Sequence, residues 1–153
     1  MTAYETEPSR SSSDEHGRPP RGGACAAHVF TAHLRADPAL VWAALTDPGQ
    51  TAAYLYGLAA HSSWGAGDPI EFRLAGRVEA IGCVLHARGP GRLSYLLQAG
   101  PGDPPVYLTW RLRPAPGGCV VRLEVDEPDT PDSPQTAEDV WLPVLAELQL
   151  LVR

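Results

Sequence analysis

At 153 residues the chain suffices for one domain with a packed core and is too short for two. Hydrophobic residues make up 44 % and charged residues 20 %, the balance of an ordinary globular protein, which excludes a disordered or coiled-coil chain. The net charge of -6 argues against nucleic-acid binding, and no run of basic residues interleaved with aromatics offsets it.

All twelve basic residues are arginine, so chemistry that needs a lysine amine, such as Schiff-base formation or a P-loop, is excluded. The cysteines Cys25, Cys83 and Cys119 are odd in number and far apart. They suggest neither a disulfide framework nor a zinc site, and read as small apolar side chains. No apolar run approaches the ~20 residues of a membrane helix. No apolar h-region opens the chain, so neither a spanning segment nor a secretory signal is expected, and the cytoplasm is the expected compartment.

In chain order, residues 1–24 are rich in Ser, Pro, Gly and charge without a hydrophobic period, and are expected to form a disordered tail ahead of a domain over 25–153. His28, Phe30, Ala32 and Leu34 then alternate with Val29, Thr31, His33 and Arg35, the period of a strand. Asp37-Pro38 and Asp47-Pro48 each pair an N-cap carboxylate with a proline at the first helical position, predicting two short helices in tandem. Gly57 stands where a left-handed residue would end the second.

From about Leu58 to Asp126 the pattern is of strands divided by turn residues. One strand ends at Trp64, and others carry Ile70 to Leu74, Val78 to His86, Leu93 to Leu97, Val106 to Arg113 and Val120 to Val125. This spacing predicts an antiparallel meander. Thr136 to Asp139 resembles a capping box, and Trp141, Val144, Leu145, Leu148 and Leu151 share a helical face, giving a terminal helix of roughly 25 Å. Pro143 is expected to kink its first turns or delay its start.

Four stretches in order, ADPALVWAALTDPGQTAAYLYG (36–57), SSWGAGDPIEFR (62–73), GCVLHARGPGRLSY (82–95) and VWLPVLAELQLLV (140–152), closely resemble the bacterial proteins named after the activator of Hsp90 ATPase. These form a branch of the SRPBCC, or START-like, superfamily. The resemblance covers residues 29–153. It implies an α+β helix-grip fold: a curved antiparallel sheet of about seven strands wrapped on a long C-terminal helix, with two short helices between strands 1 and 2. In that superfamily the architecture is associated with lipid or steroid carriage, polyketide aromatase and cyclase activity, self-resistance to a small toxin and co-chaperone interaction, among which fold alone does not choose.

The implied space between sheet and helix would be lined by Phe30, Leu34, Phe72, Leu93, Tyr95, Leu108, Trp110, Leu112, Val121, Leu123 and Val125, faced by Trp141, Leu145 and Leu148. Tyr54, Tyr56 and Trp64 are expected at its mouth, since amphipathic rings suit a boundary between dry cavity and water. The expected ligand-binding set is therefore Tyr54, Tyr56, Trp64, Phe72, Tyr95, Trp110, Trp141 and Leu145, and the expected partner a small apolar or aromatic molecule.

Little else carries chemistry. His28 and His33, five apart on one strand, point to opposite faces and cannot jointly hold a metal. No paired cysteines, H-x-x-x-H or carboxylate cluster at ligand spacing occurs, so no metal is expected. The Gly-x-Gly pairs at 65–67 and 89–91 sit in apparent hairpin turns, so no cofactor is expected either, and the serine-hydrolase elbow G-x-S-x-G is missing. Three readings follow. The first is a non-catalytic binder of a small hydrophobic molecule. The second is a cyclase-like enzyme using Tyr54, Tyr95, His61 or His86 for proton transfer. The third is a co-chaperone or regulatory module with a protein partner at the sheet's outer face, through Tyr107 and Val120.

Overall fold

The computed structural model describes residues 25–128 and 135–153; the tail expected over 1–24 lies outside the described residues. Strand β1 (Cys25–Leu34) leads into α1 (Pro38–Thr46) and α2 (Pro48–Tyr54), followed by β2 (Ala59–His61), β3 (Pro69–Leu74), β4 (Arg77–Arg88), β5 (Arg92–Gln98), β6 (Val106–Ala115), β7 (Gly118–Pro128) and α3 (Ala137–Val152). The strands form one antiparallel sheet in the order β1-β7-β6-β5-β4-β3-β2. Its two edges are thus the strands flanking α1 and α2, which is the helix-grip architecture.

The Asp-Pro devices act as the sequence suggests. Asp37 Oδ1 accepts from the Leu40 N–H at 3.0 Å and Asp47 Oδ2 from the Gln50 N–H at 3.0 Å, each replacing a bond that a helix start lacks. The close of α2 takes two left-handed residues instead of one: Tyr56 (φ 54°) precedes Gly57 (φ 84°). The Gly57 N–H reaches back to the Ala52 carbonyl at 3.1 Å. A Cβ on Gly57 would come within 2.9 Å of Leu74 Cδ1, so the turn is pressed against β3.

Two expectations are corrected. The strand expected to end at Trp64 ends at His61, because side chains take over the backbone beyond it. Ser62 Oγ accepts from the Trp64 N–H, and Asp68 Oδ2 accepts from the Gly65 N–H and the Ser63 hydroxyl. Of the two effects expected of Pro143, a delayed start is the one corrected: α3 starts at Ala137 under a complete capping box between Thr136 and Asp139 and runs through the proline to Val152. Pro143 is exposed.

Alternation sorts the sheet into two faces. Inward, β1, β7, β6 and β5 contribute the row Phe30–Leu123–Trp110–Leu93, beside the row His28–Val125–Leu108–Tyr95. All of these except His28 are buried, as are Trp141, Val144, Leu145 and Leu148 on the facing side of α3. Every residue expected to face inward is buried. Phe72 of β3 crosses over Gly82 of β4, where a Cβ would lie 2.2 Å from the Leu96 carbonyl oxygen and 3.1 Å from Phe72 Cε2. Only glycine fits that crossing.

Candidate functional site between sheet and helix

Four of the eight expected ligand residues form one buried cluster. Phe72 and Tyr95 have ring centroids 5.9 Å apart, Tyr54 stands edge-on to Trp110 at 6.2 Å, and Trp64 stands edge-on to Tyr95 at 6.2 Å. Tyr54, Phe72, Tyr95 and Trp110 are fully or nearly fully buried, whereas Trp64 is half-buried at the cluster's rim. These rings touch in the edge-on and tilted arrangements that aromatic quadrupoles favour. They come from α2, β3, β5 and β6, so the cluster exists only because the sheet curls under α2.

A small polar group lies inside this apolar surround. The Trp110 indole N–H donates to the Tyr95 hydroxyl at 3.3 Å. Burial pushes the Tyr95 phenol up to about 12, an effect the Trp110 hydrogen bond partly opposes. Burial, followed by the neighbouring Tyr95, pushes the Tyr54 phenol well above its ordinary value. Both phenols are therefore neutral near pH 7, and act as hydrogen-bonding groups rather than as bases.

The remaining members are distributed around α3. Tyr56 is 59 % exposed, and its hydroxyl donates to the Val140 carbonyl, which fastens the α2–β2 turn to the helix. Trp141 and Leu145 lie one turn apart on the buried face of α3. Trp141 is only 7 % exposed, and its indole Nε1 is buried without a hydrogen-bond partner among the described residues. Such a group is uncommon, because a buried donor loses its water and recovers nothing. Among the described residues three non-glycines have positive φ, Tyr56, Trp64 and Ala75. Two of them belong to the expected ligand set, and bulky residues adopt that backbone only under constraint.

Open volume appears on the β1 side of α3. A recess of about 350 Å³ is lined by Ala27, His28, Val29 and Phe30 of β1 and by Thr136, Ala137 and Glu138 at the start of α3. None of the eight expected residues lines it. His28 is the addition that the residue patterns pointed to, because the strand period sets it in phase with Phe30. It stacks on the Phe30 ring at 6.4 Å between centroids and has Nε2 3.9 Å from Glu127 Oε1. Ala137 at its wall is four residues ahead of Trp141, on the same face of α3.

Two residues named for proton transfer lie elsewhere. His61 pairs with Glu71, out of phase with inward Phe72, and the register shift between Val84 and His86 sets His86 opposite Ser94, out of phase with inward Leu93 and Tyr95; both therefore face away from the helix. Among the described residues no group of three or more His, Cys, Asp or Glu is placed to hold a metal. No helix among them is long and apolar enough to cross a membrane.

Residues 35–153 match the family described as Activator of Hsp90 ATPase homolog 1-like protein. The chain belongs to that family. Among solved structures, MLL2253 from Mesorhizobium loti is similar with a TM-score of 0.68 and 22 % identity, over 82 % of this chain and 96 % of that one. CalU16 from Micromonospora echinospora has a TM-score of 0.63 and 23 % identity over 82 % of this chain and 75 % of its own. DynU16, a protein of the dynemicin biosynthetic locus, has a TM-score of 0.65 and 19 % identity over 81 % of this chain and 46 % of its own. No curated protein matches the chain. At these identities the likeness establishes the fold and leaves the ligand to be argued from the site.

Proposed function

We propose that the protein binds a small apolar or aromatic molecule between the sheet and α3, and does so by burial rather than by catalysis. The observation that carries this reading is the Trp141 indole N–H, a donor held in the interior without an acceptor among the described residues. The recess beside β1 is the route of entry, and its volume of about 350 Å³ lies in the range of small-molecule sites. A ligand with a carbonyl or phenol oxygen on an otherwise apolar frame satisfies both features. Its frame is taken from water by Phe30, Trp141 and Leu145, and its oxygen accepts from Trp141. Tyr54, Phe72, Tyr95 and Trp110 form the floor, and Tyr56 and Trp64 hold the turns around it. Removing apolar ligand surface from water contributes about 25 cal/mol per Å², so a charged partner is not required.

The test is a thermal-shift screen with lipids, steroids and aromatic polyketides on the wild type and on Trp141→Phe, which keeps a ring but deletes the N–H. A ligand class that raises the melting temperature with concentration, and does so less in the variant, supports the reading. Equal shifts in both proteins remove Trp141 from the site, and no shift with any class removes the binding function.

The cyclase-like alternative rests on His28. It lies on the inward face and borders the recess, where a proton-transferring group would have to stand, and Glu127 approaches it at 3.9 Å without a hydrogen bond. Turnover of a polyketide substrate that His28→Gln abolishes would favour that alternative.

A further inference from the structure

The sheet's outer face carries an arrangement that the interior does not use. Register places Arg88 opposite Arg92, Arg92 opposite Arg111 and Arg111 opposite Arg122. One cross-strand row over β4, β5, β6 and β7 is thus made wholly of arginine. All four are out of phase with buried Leu93, Trp110 and Leu123, so their guanidiniums stand on the outer side. Like charges placed directly opposite across strands are unfavourable, and this sheet repeats the juxtaposition three times in succession.

Little in the fold neutralises the row. Glu124, in the adjacent row, accepts from Arg111 Nε at 3.1 Å and Arg122 Nε at 3.0 Å. Arg88 and Arg92 have no ion-pair partner among the described residues, and Arg92 Nε is buried without an acceptor. His86, beside the row, reports the field. Its pKa is lowered by burial and then by Arg92, Arg88 and Arg111. Four guanidiniums against one carboxylate form this strip on a chain whose net charge is -6.

The geometry points to a docking strip for an acidic α-helix of a partner protein, laid across the strands with one carboxylate over each arginine. Adjacent strands are about 4.8 Å apart and successive helical turns 5.4 Å apart, so Glu or Asp at every third or fourth position meets the row in step. An extended acidic segment, whose same-face residues recur at roughly 6.8 Å, falls out of register. The net negative charge disfavours nucleic acid, whose long charged backbone would meet the acidic remainder of the surface. Arginine forks are suited to carboxylates.

The test uses a fluorescein-labelled 16-residue alanine-based helix with Glu at spacings of three and four residues in alternation, so that one carboxylate recurs per turn, titrated with the full-length protein at 50 mM salt. Saturable anisotropy is expected, with affinity falling about tenfold or more in the double variant Arg92→Gln/Arg111→Gln and at 300 mM salt. A peptide with the same glutamates moved to alternate positions should bind several-fold more weakly. In the wild type, the arginine Nε–H signals of Arg88 and Arg92 should shift on binding, and the His86 titration should move upward. Those readouts stand even if the variants fail to fold. Absent binding, equal binding of the two peptides, or tighter binding of duplex DNA or anionic vesicles overturns the proposal.

Discussion

The two faces of one sheet solve opposite problems with the same strands. Inward, Leu93, Trp110 and Leu123 stand side by side and are wholly buried. One residue along each strand, Arg92, Arg111 and Arg122 also stand side by side, but on the outer face. Apolar neighbours gain from adjacency because burial and contact reinforce each other, whereas like charges repel. The inner row therefore accounts for the fold, and the outer row adds nothing to it. Stability belongs to the first face and partner recognition is sought on the second.

Substitutions matched in position across the sheet give the largest expected contrast. Trp110→Ala removes a fully buried ring together with the Tyr54 and Tyr95 contacts it makes, and should cost about 3–5 kcal/mol in urea unfolding. A loss under 1 kcal/mol would show that the interior is loosely packed.

Alkaline titration probes the same interior next. The Tyr95 phenol is held at about 12 when folded against an ordinary value near 10. Its contribution is fully present below about pH 10 and is lost as the pH rises toward 12, because the unfolded chain then releases a proton that the folded one retains. Roughly 2–3 kcal/mol should disappear over that interval, and less in Tyr95→Phe; a flat profile would mean that the hydroxyl is solvated.

Asp47→Ala, at the start of a helix of only seven residues, should cost about 1 kcal/mol and loosen the Tyr56 clasp, seen as faster amide exchange at Gly57. Least of all, Arg111→Gln should change stability by no more than about 0.5 kcal/mol, because Glu124 keeps Arg122. A marked stabilisation would sharpen the comparison by exposing the repulsion within the row.

The inner face was legible in the sequence because alternation is a local property. Phe30 to Leu34, Leu93 and Tyr95, and Leu108 to Leu112 declare their phase within a few residues. The Asp-Pro starts of α1 and α2 and the Thr136 capping box are local in the same way. What lay beyond reading depends on encounters between distant segments. The recess exists because Ala27 to Phe30 meet residues 136–138, over one hundred positions away. The arginine row exists because three separate turns set four strands in one register. The early end of β2 at His61 reflects Asp68 capturing a backbone N–H three residues behind it, which period alone does not encode.

Ligand entry beside α3 is tested most directly by the indole N–H signal of Trp141 during titration with a hydroxyanthraquinone, a flat apolar frame carrying carbonyl oxygens. Our account predicts a saturable downfield movement of that signal as the buried donor gains its acceptor, accompanied by shifts at His28 and Phe30. A Trp141 signal that stays fixed while the compound binds elsewhere, or in the absence of any binding up to its solubility limit, would contradict it.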